Sequence, residues 1–320
     1  MAFRFRFFVT VAALIASIAS PAALADEGGL SFWLPGNFGS FAAVPSEPGL
    51  ALPLVYYHSK ADEGGSATFP RNGRITAGVN ARADFVFIAP TYIFASPVAG
   101  GQPSLSLAAA FGPLKIGVDA TVTGPSGTVL SGSTSDSRVG VSDLYPMASL
   151  RWNRGVHNFM AYTMGGIPVG TYDTSRLSNF STNHWSVDGG GGYTYFNPKN
   201  GHELSAVLGF SYNFENPATQ YKNGVDAHLD WAASHFFLPT FHAGVAGYVY
   251  NQLSADTGAG AKLGEFKSRV AAIGGQAGYF FEVGQHKWYA NLKGYYEYTA
   301  HNRPKGWNVW LALAIPLGGK

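Results

Sequence analysis

Apolar and polar positions alternate along this chain from about residue 50 onwards, in segments bounded by turn residues. The clearest segment is residues 225–236, where Asp226, His228 and Asp230 fall on one side and Leu229 on the other. Residues two apart share one face of a β-strand, so the alternation predicts strands with one polar and one apolar face. It predicts about twelve strands, at residues 50–59, 75–94, 104–123, 138–152, 157–172, 185–196, 203–214, 224–236, 242–254, 268–281, 288–299 and 307–317.

The connections between these predicted strands alternate in length. The short ones lie at residues 96–103, 153–155, 197–201, 238–240 and 284–286. Longer polar connections, such as residues 60–74 and 254–267, lie between them. Short turns at one end and long loops at the other are typical of an antiparallel barrel that crosses a bacterial outer membrane.

Composition favours lipid rather than water outside the barrel. Only 12% of the residues are charged and 15% are aromatic, whereas a soluble sandwich with the same alternation needs a charged exterior. The 21 Lys and Arg nearly balance the 19 Asp and Glu, which argues against a nucleic-acid partner. The sequence therefore predicts an all-β fold, a transmembrane antiparallel β-barrel. The absence of cysteine excludes a disulfide-based secreted scaffold.

The chain begins with the pattern of a secretory signal peptide. Arg4 and Arg6 precede an apolar stretch and a small-residue cleavage site that ends at Ala25. A membrane anchor is the alternative, but the apolar stretch is shorter than the roughly 20 residues of a spanning helix. We expect residues 1–25 to be a cleaved signal peptide and residues 50–320 the barrel. The expected location is the cell outer membrane, with its lipid and the barrel-assembly machinery as partners.

Residues 26–49 do not alternate and form a separate pre-barrel segment. Phe32, Trp33, Leu34 and Phe38 are large apolar residues that would not be left in water. A barrel of about twelve strands is wider than the eight strands that side chains alone can fill. We therefore predict that this segment plugs the lumen and that the four residues bind an apolar solute. The alternatives are a loose periplasmic tail and packing against the first strand.

Several polar residues are predicted to face the lumen together: His184, Asp188, Asp226, His228 and Asp230. These residue types also occur in hydrolytic triads, but the chain has no Gly-x-Ser-x-Gly motif. They lack the spacing of a specific metal site. We interpret them as a structural or gating network, and expect no catalytic residue, metal or cofactor.

Two prolines interrupt predicted strands, at Pro90 and Pro113. Proline removes a ladder hydrogen bond, and a turn centred near Gly101 would place the two almost opposite each other. The polar phase also changes near Pro113, which predicts a bulge. These features suggest a local bend, or a weak point in the wall through which an apolar solute leaves sideways.

Five longer motifs resemble the outer-membrane proteins named for the meta-pathway of phenol degradation. They are residues 26–36 (DEGGLSFWLPG), 184–195 (HWSVDGGGGYTY), 209–219 (GFSYNFENPAT), 224–231 (GVDAHLDW) and 302–307 (NRPKGW). The resemblance implies a β-barrel that takes up aromatic or other hydrophobic compounds. Together with the residue patterns, it favours a channel for passive uptake of such solutes. The alternatives are a nonspecific small-solute porin and a lipid-acting outer-membrane enzyme.

Overall fold

The computed structural model describes residues 31–69, 73–123, 129–261 and 267–318. The predicted signal peptide, residues 1–25, and the first residues of the pre-barrel segment, 26–30, lie outside the described residues. Among those that are described, no helix is long and apolar enough to cross a membrane.

The described chain folds into antiparallel β-strands. In chain order they are β1 (Gly49–Phe69), β2 (Gly73–Ile88), β3 (Thr91–Ile93), β4 (Gln102–Thr123), β5 (Val129–Val141), β6 (Tyr145–Arg154), β7 (His157–Gly166), β8 (Ser186–Asn197), β9 (His202–Asn213), β10 (Asp226–Leu238), β11 (Phe241–Gln252), β12 (Arg269–Val283), β13 (His286–His301) and β14 (Lys305–Pro316). Each strand pairs with its neighbours along the chain, and β14 pairs with β1 from Ala51↔Pro316 to Asp62↔Lys305. The sheet is thus a closed barrel.

Two wall strands are interrupted. β2 and β3 form one strand that breaks at Ala89 and Pro90, since both halves pair with β1 and β4 in one register. β5 and β6 likewise share β4 as a partner and are separated by residues 142–144. Counting each broken strand once, the barrel has twelve strands. The predicted fold class and strand number are confirmed.

Tight turns close one end of the barrel, called here the short-turn end. The turn between Val98 and Gly101 has positive φ at Ala99 and Gly100, the conformation of a two-residue hairpin. The opposite, long-loop end differs from the prediction, because residues 60–69 and 73–74 are paired strand rather than loop. The small and charged residues of this stretch do not alternate between apolar and polar, but the backbone hydrogen bonding between β1 and β2 continues through it.

Within the barrel wall, the predicted alternation of faces is observed. On β9, Glu203, Ser205 and Ser211 are buried in the lumen, whereas Leu204 and Leu208 are about half exposed on the outside. This is the pattern of strands with lipid outside and a polar interior. The outward apolar side chains form a belt around the barrel.

Near the long-loop end, this polarity inverts. Leu114 and Ile116 of β4 point inward into an apolar core with Phe85, while Lys115 points outward. The predicted bulge near Pro113 is wrong, because β4 keeps one register with β2 from Leu114 through Phe111. The polar positions of β4 change from inward to outward because the strand extends past the end of the apolar belt. Beyond that level, polar side chains face outward and apolar side chains pack inside the barrel.

Candidate functional site

The pre-barrel segment, residues 31–48, runs through the lumen and is held by polar side chains of the wall. Asp230 accepts hydrogen bonds from the backbone N–H groups of Gly36 (2.9 Å) and Phe38 (3.0 Å). Lys293 Nζ donates to the carbonyl oxygens of Gly36 (2.6 Å), Asn37 (3.1 Å) and Phe38 (3.2 Å). Both side chains are buried. A carboxylate and an ammonium therefore hold one turn of the segment from two strands, β10 and β13.

A second anchor lies nearer the short-turn end. Glu203 accepts hydrogen bonds from Ser40 Oγ (2.7 Å) and from the Phe41 N–H (3.1 Å). The N–H of Ala43 donates to Thr194 Oγ1 (3.1 Å). These bonds tie the segment to β8 and β9, so its path through the lumen is defined over several residues.

The aromatic ring of Phe41 closes the lumen near this anchor. It contacts five surrounding rings at centroid distances of 5.2 to 6.0 Å, those of Phe196, Phe236, His242, Phe280 and Tyr289. The short-turn side of the segment is therefore packed with aromatic rings.

In the middle of the barrel, Trp33 stacks on His228 with ring centroids 3.7 Å apart. His228 Nε2 lies 2.9 Å from Asp188 Oδ2, and the side chains of both residues are fully buried. Ser211 Oγ donates to the same Asp188 oxygen at 2.6 Å. The carboxylate thus lies between the serine and the histidine, whereas a hydrolytic triad needs the histidine in the middle to activate the serine.

The other predicted lumen residues make separate contacts. His184 Nδ1 lies 3.2 Å from Ser186 Oγ, which donates to Asn213 Oδ1. Asn213 in turn donates to Asp226 Oδ2 at 2.9 Å. The predicted set is therefore divided into three parts: the pair Asp188 and His228, the chain from His184 to Asp226, and Asp230 on the pre-barrel segment.

An apolar cavity of about 160 Å³ lies between the pre-barrel segment and the wall. Three of the four residues predicted to bind a solute, Phe32, Trp33 and Leu34, line it from the segment. That they bind a solute stays a prediction. Phe38, predicted with them, lies elsewhere and packs against Trp33 and Tyr162. Ser31 and Asn37 of the segment also line it. The barrel wall and the loop after β7 supply the other lining residues, which include Val55, Phe85, Phe87, Ala89, Ala108, Ala110, Tyr145, Met164, Phe180 and Trp310.

The two wall prolines are not opposite each other. Pro113 lies opposite Asp84 in the β2–β4 register, and the Leu107 N–H donates to the Pro90 carbonyl. The hairpin turn is displaced from the predicted centre, since it lies at Ala99 and Gly100. Strand pairing resumes on both sides of each proline.

Sequence reasoning missed a second break in the wall, residues 142–144 between β5 and β6. Asp143 there accepts hydrogen bonds from the N–H groups of Gly170 (3.0 Å) and Thr182 (2.9 Å) in the loop after β7. The same loop places Phe180 in the cavity lining. The only sequence signal for this break was a short polar interruption, Ser142 and Asp143, within a predicted strand.

Solved structures of other proteins are similar to this chain to different degrees. A crystal structure of an outer membrane channel from Pseudomonas putida F1 matches with a TM-score of 0.59 and 15% identity, covering 86% of this chain and 98% of that one. OccK10 (OpdN) of Pseudomonas aeruginosa matches with a TM-score of 0.32 and 10% identity, covering 85% of this chain and 98% of its own. The transport unit of the autotransporter AIDA-I from Escherichia coli gives 0.41 and 9%, covering 92% and 96%.

The similarity to the Pseudomonas putida channel shows the fold alone, since the identity is only 15%. No curated protein sequence matches the chain. A family model does match, over residues 60–313, which is most of the chain. The protein belongs to the family described as "Putative MetA-pathway of phenol degradation".

Proposed function

We propose that this protein is a bacterial outer-membrane channel for passive uptake of small hydrophobic, aromatic compounds. The observation that carries the proposal is the apolar cavity between Trp33 and the barrel wall. Its volume of about 160 Å³ is close to that of a buried apolar cavity known to stay dry and bind benzene, about 150 Å³. One monocyclic aromatic molecule fits such a space.

The outer surface supports the membrane location. The belt of outward apolar side chains has aromatic residues at its edges, among them Trp307 and Tyr296 near the long-loop end and Tyr279 near the short-turn end. Such girdles mark the two interfaces of a lipid bilayer. With the short turns in the periplasm, the long loops face the outside. The fold shared with the Pseudomonas putida channel agrees with this location.

Selection in this mechanism comes from desolvation. Burying an aromatic ring removes about 150 Å² from water, worth ~4 kcal/mol at about 25 cal/mol per Å². That corresponds to a dissociation constant of about 1 mM. A solute bound this weakly is collected from water and also leaves quickly, as passive transport requires. A polar solute gains nothing from the cavity.

In this proposal, the solute leaves the cavity sideways through the barrel wall and not along the axis of the lumen. The pre-barrel segment is hydrogen-bonded across the lumen below the cavity, through Asp230, Lys293 and Glu203. Ala89 beside one strand break and Ser142 at the other both line the cavity. A solute that moves sideways at either break has to open a few backbone hydrogen bonds, such as those from Ala89 to Pro53 and from Ser142 to Ala110, but it does not have to displace the segment.

The test is a substitution that fills the cavity without touching the anchors. Ala108 lines the cavity, and Ala108→Phe should lower uptake of labelled toluene by about tenfold while the barrel still folds, at a packing cost of about 1–3 kcal/mol. Ala206 faces outward between Leu204 and Leu208, so Ala206→Phe is the matched control and should transport normally.

Equal uptake by the Ala108→Phe variant and the unmodified protein would overturn the proposed site. Planar-bilayer recordings distinguish the proposed hydrophobic-solute channel from the alternative, a nonspecific porin. A large steady ion conductance in the unmodified protein, with no preference for apolar solutes, would favour that alternative.

A further inference from the structure

Three cationic side chains form a row across the outside of the barrel. Lys60 of β1 lies directly opposite Arg82 of β2, and Arg82 lies directly opposite Lys115 of β4. All three are exposed. Facing residues of antiparallel strands have Cβ atoms about 4.5–5.5 Å apart, and like charges at that distance destabilise the sheet. The row is therefore a feature that a bound anion would stabilise.

The row lies at the level where the apolar belt ends. On β4, the outward residues change from Phe111, which is exposed and apolar, to Lys115. On β1 they change from Tyr56 to Lys60. Lys60 is eleven residues from Gly49 at the short-turn end. At about 3.3 Å per residue and a tilt of about 40°, this is roughly 28 Å, just beyond an apolar band of ~25 Å.

An interfacial aromatic residue marks the same level. Trp307 of β14 lies directly opposite Lys60 and is 44% exposed on the outside. Tryptophan is enriched where membrane lipid meets water. Two independent signals, the end of the apolar belt and this tryptophan, therefore put the cations among lipid headgroups.

Nearby carboxylates only partly neutralise the row. Arg82 Nε lies 3.1 Å from Asp84 Oδ2. The other oxygen of this carboxylate, Oδ1, accepts a hydrogen bond from Tyr56 and contacts His58. Among the described residues, no carboxylate lies within 4.0 Å of the ammonium of Lys60 or Lys115.

The other charged side chains near this level lie one or two rows further out. They are Asp62, which is opposite Lys305, and Asp119, which is opposite Gly78. Lys305 offsets Asp62, Asp84 is paired with Arg82, and Asp119 offsets one of the two lysines, so these side chains leave an excess of one positive charge.

We propose that Lys60, Arg82 and Lys115 bind a phosphate group of a phosphorylated lipid in the outer leaflet. The guanidinium of Arg82 is 61% exposed and presents two further nitrogens beyond the Nε that contacts Asp84. Arginine binds phosphate oxygens in bidentate fashion, and a lysine on each side adds a point charge. The acyl chains then lie along the outward apolar residues of the same strands, Tyr56, Val86 and Phe111.

The test uses the full-length protein in a nonionic detergent with purified lipopolysaccharide as the probe. Binding is measured by native mass spectrometry and by the midpoint of thermal unfolding. The unmodified protein should retain the phosphorylated lipid and unfold at a higher temperature with it. The Lys60→Gln, Arg82→Gln, Lys115→Gln triple variant should bind at least tenfold more weakly.

A matched control removes three exposed cations at the short-turn end, with Arg154→Gln, Lys199→Gln and Lys287→Gln, and should bind as the unmodified protein does. A Lys60→Arg, Lys115→Arg variant keeps the charge and should retain binding. It keeps the test informative if the triple variant does not fold.

Four results would overturn the proposal. Unchanged binding by the folded triple variant, or lost binding by the arginine variant, would remove the cation row as the site. Equal binding of chemically dephosphorylated lipid would remove the phosphate. Equal stabilisation by inorganic phosphate alone at the same concentration would point to a free anion instead of a lipid.

Discussion

The turn at Gly36 to Phe38 is held by two buried charges of opposite sign, Asp230 and Lys293. Both side chains are buried, and the backbone groups of the turn supply hydrogen-bond partners that bulk water would otherwise supply. A buried lysine or aspartate that loses its partners is costly, which ties the position of the pre-barrel segment to the integrity of both side chains.

Replacing Lys293 should loosen the segment. Lys293→Met removes the donor to three carbonyl oxygens, and each hydrogen bond to a charged group is worth about 1.5–3 kcal/mol. Since 1.4 kcal/mol is a factor of ten, single-channel recordings should show at least about a tenfold longer conducting time. Lys287→Met removes an exposed cation at the short-turn end and should leave the recordings unchanged. Identical traces for the two variants would contradict the anchor role.

The pair Asp188 and His228 lends itself to a double-mutant cycle. His228→Phe retains a ring against Trp33 but removes the imidazole partner of the Asp188 carboxylate, which should destabilise the fold by about 3–5 kcal/mol. Adding Asp188→Leu should recover part of that loss, because the unpaired charge is gone. Urea unfolding in lipid vesicles measures the three variants. Strictly additive losses would show that the pair is not coupled.

Individual site residues were predictable only as far as their strand face. Alternation placed Asp188, His228 and Asp230 in the lumen, and apolar character singled out Trp33. The role of Lys293 was missed because its partners are 255 to 257 residues away in the sequence. Phe180 was missed because nothing local shows that its loop turns inward.

At the scale of elements, the pre-barrel segment acts as part of the interior. Its hydrogen bonds to Asp230, Lys293, Glu203 and Thr194 run to strands on the β8 to β13 side of the barrel, and Arg151 of β6 and Gln102 of β4 bond it near the short-turn end. The cavity opens on the other side, against β1, β2 and β4. The segment thus divides the lumen into a packed half and a half with space for a solute.

A disulfide can test whether the segment moves during transport. The chain contains no cysteine, and Ser40 Oγ lies 3.0 Å from Ser234 Oγ across the interface of segment and wall. Ser40→Cys with Ser234→Cys should form a disulfide on oxidation. If release is sideways, toluene uptake in the oxidised form should stay within about twofold of the reduced form, since each factor of two is only ~0.4 kcal/mol.

The single Ser40→Cys variant controls for effects of oxidation. Loss of uptake on oxidation of the double variant alone would show that solute passes by displacement of the segment.

The strand breaks show where pattern reading ends. Pro90 was recognised because proline cannot donate a ladder hydrogen bond, but its position relative to Pro113 depends on extra residues beside the hairpin turn, which alternation does not reveal. The change in polar phase near Pro113 reflects the end of the apolar belt and not an inserted residue. The alternation shows which residues share a polar face. Whether that face points into the lumen or outward depends on whether lipid or water surrounds the wall at that level.

For the whole molecule, the barrel and its strand number followed from alternation because every wall strand obeys the same two-residue period. The lengths of β1 and β2 beyond the membrane did not follow, since polar residues in water do not need to alternate. The path of the pre-barrel segment was one of several predicted alternatives, and long-range hydrogen bonds determine it.

The lipid-facing belt makes a depth-dependent prediction. Leu208 lies outward on β9, six residues from His202 at the short-turn end, near the middle of the belt. Leu208→Arg should destabilise the barrel in vesicles by about 2–4 kcal/mol, whereas Val139→Arg, opposite Pro113 at the edge of the belt, should cost about 0–1 kcal/mol. Equal losses in denaturant unfolding would mean that the belt does not face lipid.

The closure of β1 onto β14 has a consequence for biogenesis. β1 directly follows the pre-barrel segment, whose anchors lie on β8 to β13, and the last ladder joins the first strand to the final one. The anchoring strands must therefore be synthesised before the segment can find its partners, although the segment precedes them in the chain. In the assembled protein, the barrel therefore encloses a segment that was synthesised before any of the strands that hold it.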